Sequence, residues 1–158
     1  MKVATLRKHT EYVPELAKIY FDTWGYIDPE ETLTEIEARL VDIYASPADA
    51  DVMPKTLIAI ESGSLLGAAT LQEKTRLFPD IARTPWLAGV YVKPEHRSRG
   101  IASLLIRAIE NAASTAGNKT LHLCTHDHEA YYARLGYETI ETRDFRGEKT
   151  FVMAKALT

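Results

Sequence analysis

Cysteine is nearly missing. The 158 residues hold one, Cys124, which excludes an internal disulfide framework and suits a reducing cytoplasm. A basic surplus is missing too. Lys and Arg number 19 against 22 Asp and Glu, a formal net charge of −3. Duplex-binding proteins usually carry the opposite balance, so no nucleic-acid partner is expected. No apolar run approaches the roughly 20 residues of a membrane span. Residues 1–10 lack the apolar stretch of a signal peptide, so neither membrane insertion nor export is expected. Repeats, low-complexity tracts and long linkers are absent. So are Gly-x-x-x-x-Gly-Lys-Ser/Thr and a Gly-x-Gly-x-x-Gly following a strand, which sets aside the two familiar phosphate loops. What is present is ordinary for a globular chain: 46% hydrophobic and 26% charged residues. A chain this long buries roughly 70% of its unfolded surface, and the expectation is one domain over 1–158.

Periodicity supplies the elements. A short strand is expected over 2–8. Val13, Leu16, Tyr20 and Trp24 recur at near-helical spacing over 11–24, and Gly25 is placed to stop that helix. Asp28-Pro29 reads as an N-cap followed by proline at the first helical position. Leu33, Ile36, Leu40 and Ile43 form the stripe of the helix that follows, with Pro47 as its end. Apolar runs at 56–60 and 65–71 flank Ser62-Gly63, a hairpin signal, and 72–85 is irregular. WLAGVYV at 86–92 is continuous and apolar, as expected of a strand buried on both faces. A helix over 100–116 presents Leu104, Leu105, Ala108, Ile109 and Ala112, and Gly117 closes it. Next come a strand at 121–125, a short helix at 129–135 ended by Gly136, and terminal strands at 137–142 and 150–156. The order is β-α-α-β-β-β-α-β-α-β-β. Residues 86–125 form a right-handed parallel strand-helix-strand unit, and the flanking hairpins make the sheet mixed, with helices on both faces.

The segment VYVKPEHRSRGIAS, 90–103, concentrates the chemistry. A strand leaves through a basic loop and enters a helix at Gly100, aiming free N–H groups and the positive end of the helix dipole at one spot. That suits a phosphate or pyrophosphate. Gly100 removes a Cβ where a ligand would press on the backbone, and Ala102 keeps the next approach small. Lys93, His96, Arg97 and Arg99 add positive potential.

Arg97-Ser98-Arg99-Gly100-Ile101-Ala102 resembles the Arg/Gln-x-x-Gly-x-Gly/Ala signature of the GNAT superfamily of N-acetyltransferases. Tyr131-Tyr132-Ala133-Arg134-Leu135-Gly136-Tyr137 resembles that family's second motif, an aromatic pair, a basic residue and Gly-Phe/Tyr. Both lie in the expected order after the expected strands, so the resemblance covers essentially the whole chain. It implies an α/β fold with a mixed, mostly antiparallel twisted sheet and acetyl-CoA as co-substrate, without a metal. Backbone amides around Arg99 to Ala102, with Arg97, Ser98 and Ser103 beside them, would hold the pyrophosphate. Val90, Tyr91 and Val92 would bond the pantetheine arm. Tyr132 would protonate the departing thiolate while the amine attacks the thioester directly. A neutral phenol near pKa ~10 suits that donor role.

The chain also departs from the family pattern. Ala88 stands where many relatives carry a glutamate base, Thr125 where many carry a cofactor-binding Asn, and His128 where Ala is common. Thr125 could substitute through its hydroxyl. Glu73 or a histidine at 126 or 128 could serve as base. His122, Cys124 and His126 share one strand face, yet alternate residues of one strand rarely converge on a metal. Trp24, Tyr26, Glu73 and His126 are the candidate acceptor contacts. The acceptor is expected to be the primary amine of a small molecule, with a peptide or protein N-terminus as the alternative and a non-catalytic acyl-CoA sensor as the reading from another class. A homodimer is an open alternative to a monomer.

Overall fold

Alternating apolar residues build seven strands, seen in a computed structural model that describes residues 1–44 and 53–158. They are β1 (Lys2–Thr5), β2 (Lys55–Glu61), β3 (Ser64–Gln72), β4 (Trp86–Val92), β5 (Thr120–Thr125), β6 (Glu138–Phe145) and β7 (Glu148–Ala156). Among the described residues four α-helices accompany them: α1 (Val13–Trp24), α2 (Leu33–Arg39), α3 (Ile101–Thr115) and α4 (Glu129–Arg134). The strands form one sheet in the order β1-β2-β3-β4-β5-β7-β6. Every neighbouring pair is antiparallel except β4 and β5, which are parallel and joined through α3. The mixed, mostly antiparallel sheet and its central strand-helix-strand unit are those expected from the sequence.

Helices cover both faces because the inner strands are apolar on both. In β2, Leu57 and Ala59 join the core that includes Leu105 and Ile109 of α3, while Ile58 and Ile60 join the core of Leu16 in α1 and Ile36 in α2. The buried stripe of α3 is Ile101, Leu105, Ile106, Ile109 and Ala113. Leu104, which the sequence assigned to this face, is 39% exposed. The stripe is displaced toward Ile106, and Ala108 and Ala112 pack at its edge.

Several element ends differ from the sequence reading. β1 stops at Thr5, and a 3-10 turn, Leu6–Lys8, drives Leu6 into the core of α1 and α2. The second helix starts after Thr32, not after Asp28. Thr32 and Glu35 form a capping box, with the Glu35 N–H on Thr32 Oγ1 at 3.1 Å and the Thr32 N–H on Glu35 Oε1 at 3.3 Å. This satisfies two orphan amides reciprocally. Asp28 instead closes a turn, its carbonyl accepting from the Glu31 N–H at 3.1 Å. A π-helical turn, Leu40–Tyr44, follows α2. The side chain of Ile43 and the helix end placed at Pro47 lie outside the described residues. β6 and β7 run further than expected and meet at Arg146-Gly147, both at positive φ, 53° and 88°, which suits a two-residue hairpin turn.

The displaced face of α3 is directly testable. Leu105→Ala removes a fully buried side chain and should cost about 2–4 kcal/mol, whereas Leu104→Ala should cost less than about 1 kcal/mol. Urea unfolding midpoints measure both, and equal midpoint shifts would refute the assignment.

Candidate active site

β4 and β5 touch at one point and then separate. Trp86 is in register with His122, and no later residue of either strand pairs with the other. The junction is pinned. The His122 N–H reaches the Pro85 carbonyl at 3.1 Å, His122 Nδ1 lies 3.1 Å from the same oxygen, and Trp86 Nε1–H donates to the Arg83 carbonyl at 2.6 Å. Burial holds the His122 imidazole below its usual range. Beyond the junction β4 bulges: Thr70 faces Ala88 and Ala68 faces Tyr91, so Ala69 opposes both Gly89 and Val90. Gly89 sits at φ +60°, in the left-handed region. The strand expected to be buried on both faces is therefore buried only at its ends, and Ala88 to Tyr91 are half-buried. The gap is a cavity of about 850 Å³.

One end of the cavity leads to the glycine loop. β4 continues through a 3-10 turn, Pro94–His96, to Gly100, the N-cap of α3, at φ +77°. The first helical bond runs from the Leu104 N–H to the Gly100 carbonyl, so the amides of Ile101, Ala102 and Ser103 have no partner inside the helix. The first turn holds no acid, and a Cβ on Gly100 would meet nothing within 4 Å. The ground before the helix is open and electropositive. The basic side chains, however, are engaged. Lys93 pairs with Glu15, and Arg99 pairs with Glu61 at 3.1 Å and contacts His96 Nδ1 at 3.1 Å. Arg97 Nε–H donates to the Val92 carbonyl at 2.9 Å, with its guanidinium 5.7 Å from the Tyr91 ring centre. Anion attraction at this loop rests on amides and the helix dipole more than on free cations.

Val90, Tyr91, Arg97, Thr125 and Tyr132 all line the cavity. Val92 turns its side chain into the α3 core. Ser98, Arg99 and Gly100 are exposed just past Arg97, and Ile101 is buried, so it offers only its amide. Ser103 Oγ lies 3.1 Å from the Tyr131 hydroxyl, tying the first turn of α3 to α4. The Thr125 hydroxyl accepts the His128 N–H at 3.1 Å and keeps its own proton free to donate. Tyr132 packs edge-on against Tyr131 and Tyr137, at ring distances of 5.3 and 5.9 Å. Burial pushes its phenol up to about 12. Its hydroxyl has no hydrogen-bond partner among the described residues.

The opposite half of the cavity is built from separated loops. Trp24 stacks edge-on against Tyr91 at 6.3 Å, and Tyr26, His126, Asp127 and His128 also line this half. Asp127 Oδ1 lies 3.9 Å from His126 Nε2 and 3.5 Å from His128 Nε2. Glu73 is exposed and outside the lining; Gln72 stands there instead, as strand alternation dictates. Ala88 lines the cavity at the position of the family's usual carboxylate. Behind it Thr70 Oγ1 meets Thr56 Oγ1 at 2.8 Å, beside the buried Tyr20 hydroxyl, a phenol that burial raises to about 12. Sequence reasoning missed Glu31, Arg39, Arg76 and Arg146. Glu31 sits 3.1 Å from Arg39 and 3.6 Å from Arg76. No local pattern marks these residues, because chain folding alone brings them together. Among the described residues no group of three His, Cys, Asp or Glu side chains could hold a metal ion. Cys124 contacts Thr75 Oγ1 at 3.9 Å, its thiol raised to about 11 by burial, and does not converge with His126.

No curated protein matches the chain. Solved structures do. An aminoglycoside 6'-N-acetyltransferase complexed with coenzyme A superposes with a TM-score of 0.75 at 16% identity, covering 100% of this chain and 98% of that one. The aminoglycoside 6'-N-acetyltransferase from Enterococcus faecium gives 0.74 at 17%, with the same coverage. A Salmonella typhimurium protein solved with its cofactor acetyl-CoA gives 0.67 at 17%, covering 100% and 94%. At such identities the likeness is one of fold. The family assignment comes from the acetyltransferase (GNAT) family model, which matches residues 13–137, the stretch that holds the parted strands, the glycine loop and Tyr132. The chain therefore belongs to the GNAT family of acetyltransferases.

Proposed function

We propose that the chain transfers the acetyl group of acetyl-CoA to a primary amine of a small molecule, by direct attack. The observation that carries this reading is Tyr132, a half-buried phenol without a hydrogen-bond partner among the described residues, lining the same cavity as the unpaired edge of β4. The residues present fit the co-substrate. The open ground before Gly100 and the free amides of 101–103 suit a pyrophosphate. Val90 and Tyr91 would offer main-chain groups to an extended arm, while the Val92 carbonyl already holds Arg97. Aminoglycoside acetyltransferases among the structural neighbours support a small-molecule amine.

Acetyl-CoA supplies the activated carbonyl. The amine nitrogen forms the new C–N bond, the C–S bond breaks, Tyr132 gives its proton to the departing sulfur, and the proton shed by the acylated nitrogen restores the phenol. Burial weakens Tyr132 as an acid, but it also raises the proton affinity of a thiolate placed beside it, so the pair stays matched. An amine near pKa ~10 arrives protonated and must lose a proton. With Ala88 in the carboxylate position and Glu73 outside the cavity, that proton leaves through water to the His126-Asp127-His128 end of β5.

Gly100→Val places a side chain in the open ground before α3 and should weaken coenzyme A binding by about tenfold or more. Calorimetric titration reads this, with circular dichroism confirming the fold; unchanged affinity would refute the phosphate site. Tyr132→Phe keeps the ring and should lower kcat by about 10²–10⁴ while coenzyme A affinity holds. Equal turnover by that variant would remove the acid role. Because Tyr132 stays protonated below about 12, kcat/KM for the amine should rise with pH and show no fall from this group through pH 10. A low-pH limb that vanishes in His126→Gln or His128→Gln identifies the terminal base, whereas a fall beginning near pH 9 that Tyr132→Phe abolishes would contradict the raised phenol.

A further inference from the structure

Arg146 takes no part in the chemistry above. It is the first residue of the turn joining β6 and β7, held at φ +53°. Its guanidinium crosses to the connection between α1 and α2, where Nη1–H donates to the Tyr26 carbonyl at 2.6 Å and Nη2–H to the Ile27 carbonyl at 2.9 Å. Those two positions lie 120 and 119 residues away in sequence. Both carbonyls follow the C-terminal end of α1, where the helix dipole favours a cation. The planar fork matches two adjacent acceptors at once. The Phe145 ring lies 4.8 Å from the guanidinium carbon, and the Gly147 N–H fixes the turn on Asp144 Oδ2 at 3.1 Å. On the other side the Ile27 N–H is held by the Trp24 carbonyl at 3.0 Å.

Tyr26, Ile27, Phe145 and Arg146 all line the cavity. The fork therefore ties together two walls of the acceptor half that are far apart in sequence. Arg146 is itself exposed, so water competes for its donors and the tie can open. Its position also matters chemically. Two of its five donors are given to backbone carbonyls, and a cation does not attract a protonated amine, so its first effect is on the width of the opening.

We propose that Arg146 is a specificity-determining latch: by holding the Tyr26-Ile27 wall against the β6–β7 turn, it favours acceptors that present their amine on a slender chain over bulky multi-ring amines. The proposal rests on the acetyltransferase reading above. It makes Arg146 a positioning residue, and its loss should show in the ratio between acceptors.

The test uses the full chain as wild type, Arg146→Lys and Arg146→Ala. Initial rates are measured with acetyl-CoA and two acceptor sets, linear alkyl amines with a tripeptide on one side and an aminoglycoside on the other. The ratio of kcat/KM for bulky over slender acceptors should rise about tenfold in Arg146→Ala, mainly through KM, with Arg146→Lys, which keeps the charge but loses the fork, in between. In parallel, hydrogen exchange of the amides at 25–28 should speed up several-fold in Arg146→Ala, while coenzyme A affinity holds. An unchanged acceptor ratio overturns the latch, as does unchanged exchange at 25–28. If the wild type acetylates neither set, the acetyltransferase reading is what fails, and hydrogen exchange alone decides whether the latch exists.

Discussion

Two strands that start side by side and then part are what the site depends on. At Trp86 and His122 the ladder of β4 and β5 is closed by the Pro85 carbonyl, which receives both the His122 amide and a contact from its ring. One residue further the ladder has ended. A parallel pair buried under helices would ordinarily continue its hydrogen bonds, because unpaired backbone in a core is costly. Here the bulge at Gly89 and Val90 turns β4, and the opening leaves main-chain groups facing a cavity, where a ligand or water can satisfy them. The helices then fall into place around the opening: α3 sends its N-terminus to one end, α4 brings Tyr132 to the middle, and the α1–α2 connection roofs the other half.

The electrostatics follow the same economy. A net acidic chain leaves bare backbone amides at the start of α3. Lys93 and Arg99 pair with Glu15 and Glu61, and Arg97 gives its Nε–H to the Val92 carbonyl while its guanidinium stays exposed. What remains facing outward is a row of amides that cannot titrate and need no rotamer to be ordered. Across the cavity, Glu31 is balanced between two arginines, and Asp127 lies between the rings of two histidines. Two phenols of the cavity lining have no hydrogen-bond partner among the described residues, the buried Tyr20 hydroxyl and that of the half-buried Tyr132.

Much of this was legible from residues alone. The continuous apolar run at 86–92 announces a strand and Gly100 a helix start because each depends on local chemistry, whereas Tyr132 is singled out by the resemblance of 131–137 to the family's second motif. The face of α3 differs from the expected one by a position, since Leu104 and Ile106 are equally apolar and only the packing of the helix on the sheet decides between them. The start of α2 was misplaced because Asp28-Pro29 and Thr32 to Glu35 compete as signals, and the reciprocal box wins. Exposure in the middle of β4 could not be read, because it depends on β5 leaving. Arg146 could not be read either, since its partners are carbonyls more than a hundred residues away and carbonyls carry no residue identity.

The central claim is that the parting of β4 and β5 exists to receive an extended arm whose phosphates lie on α3. Hydrogen exchange of the wild-type chain with and without coenzyme A tests it most directly. The account requires slower exchange at the amides of 89–92 and of 100–103 together, with β1 and the β6–β7 turn unaffected. Protection confined to either segment, or appearing only elsewhere in the sheet, would contradict it.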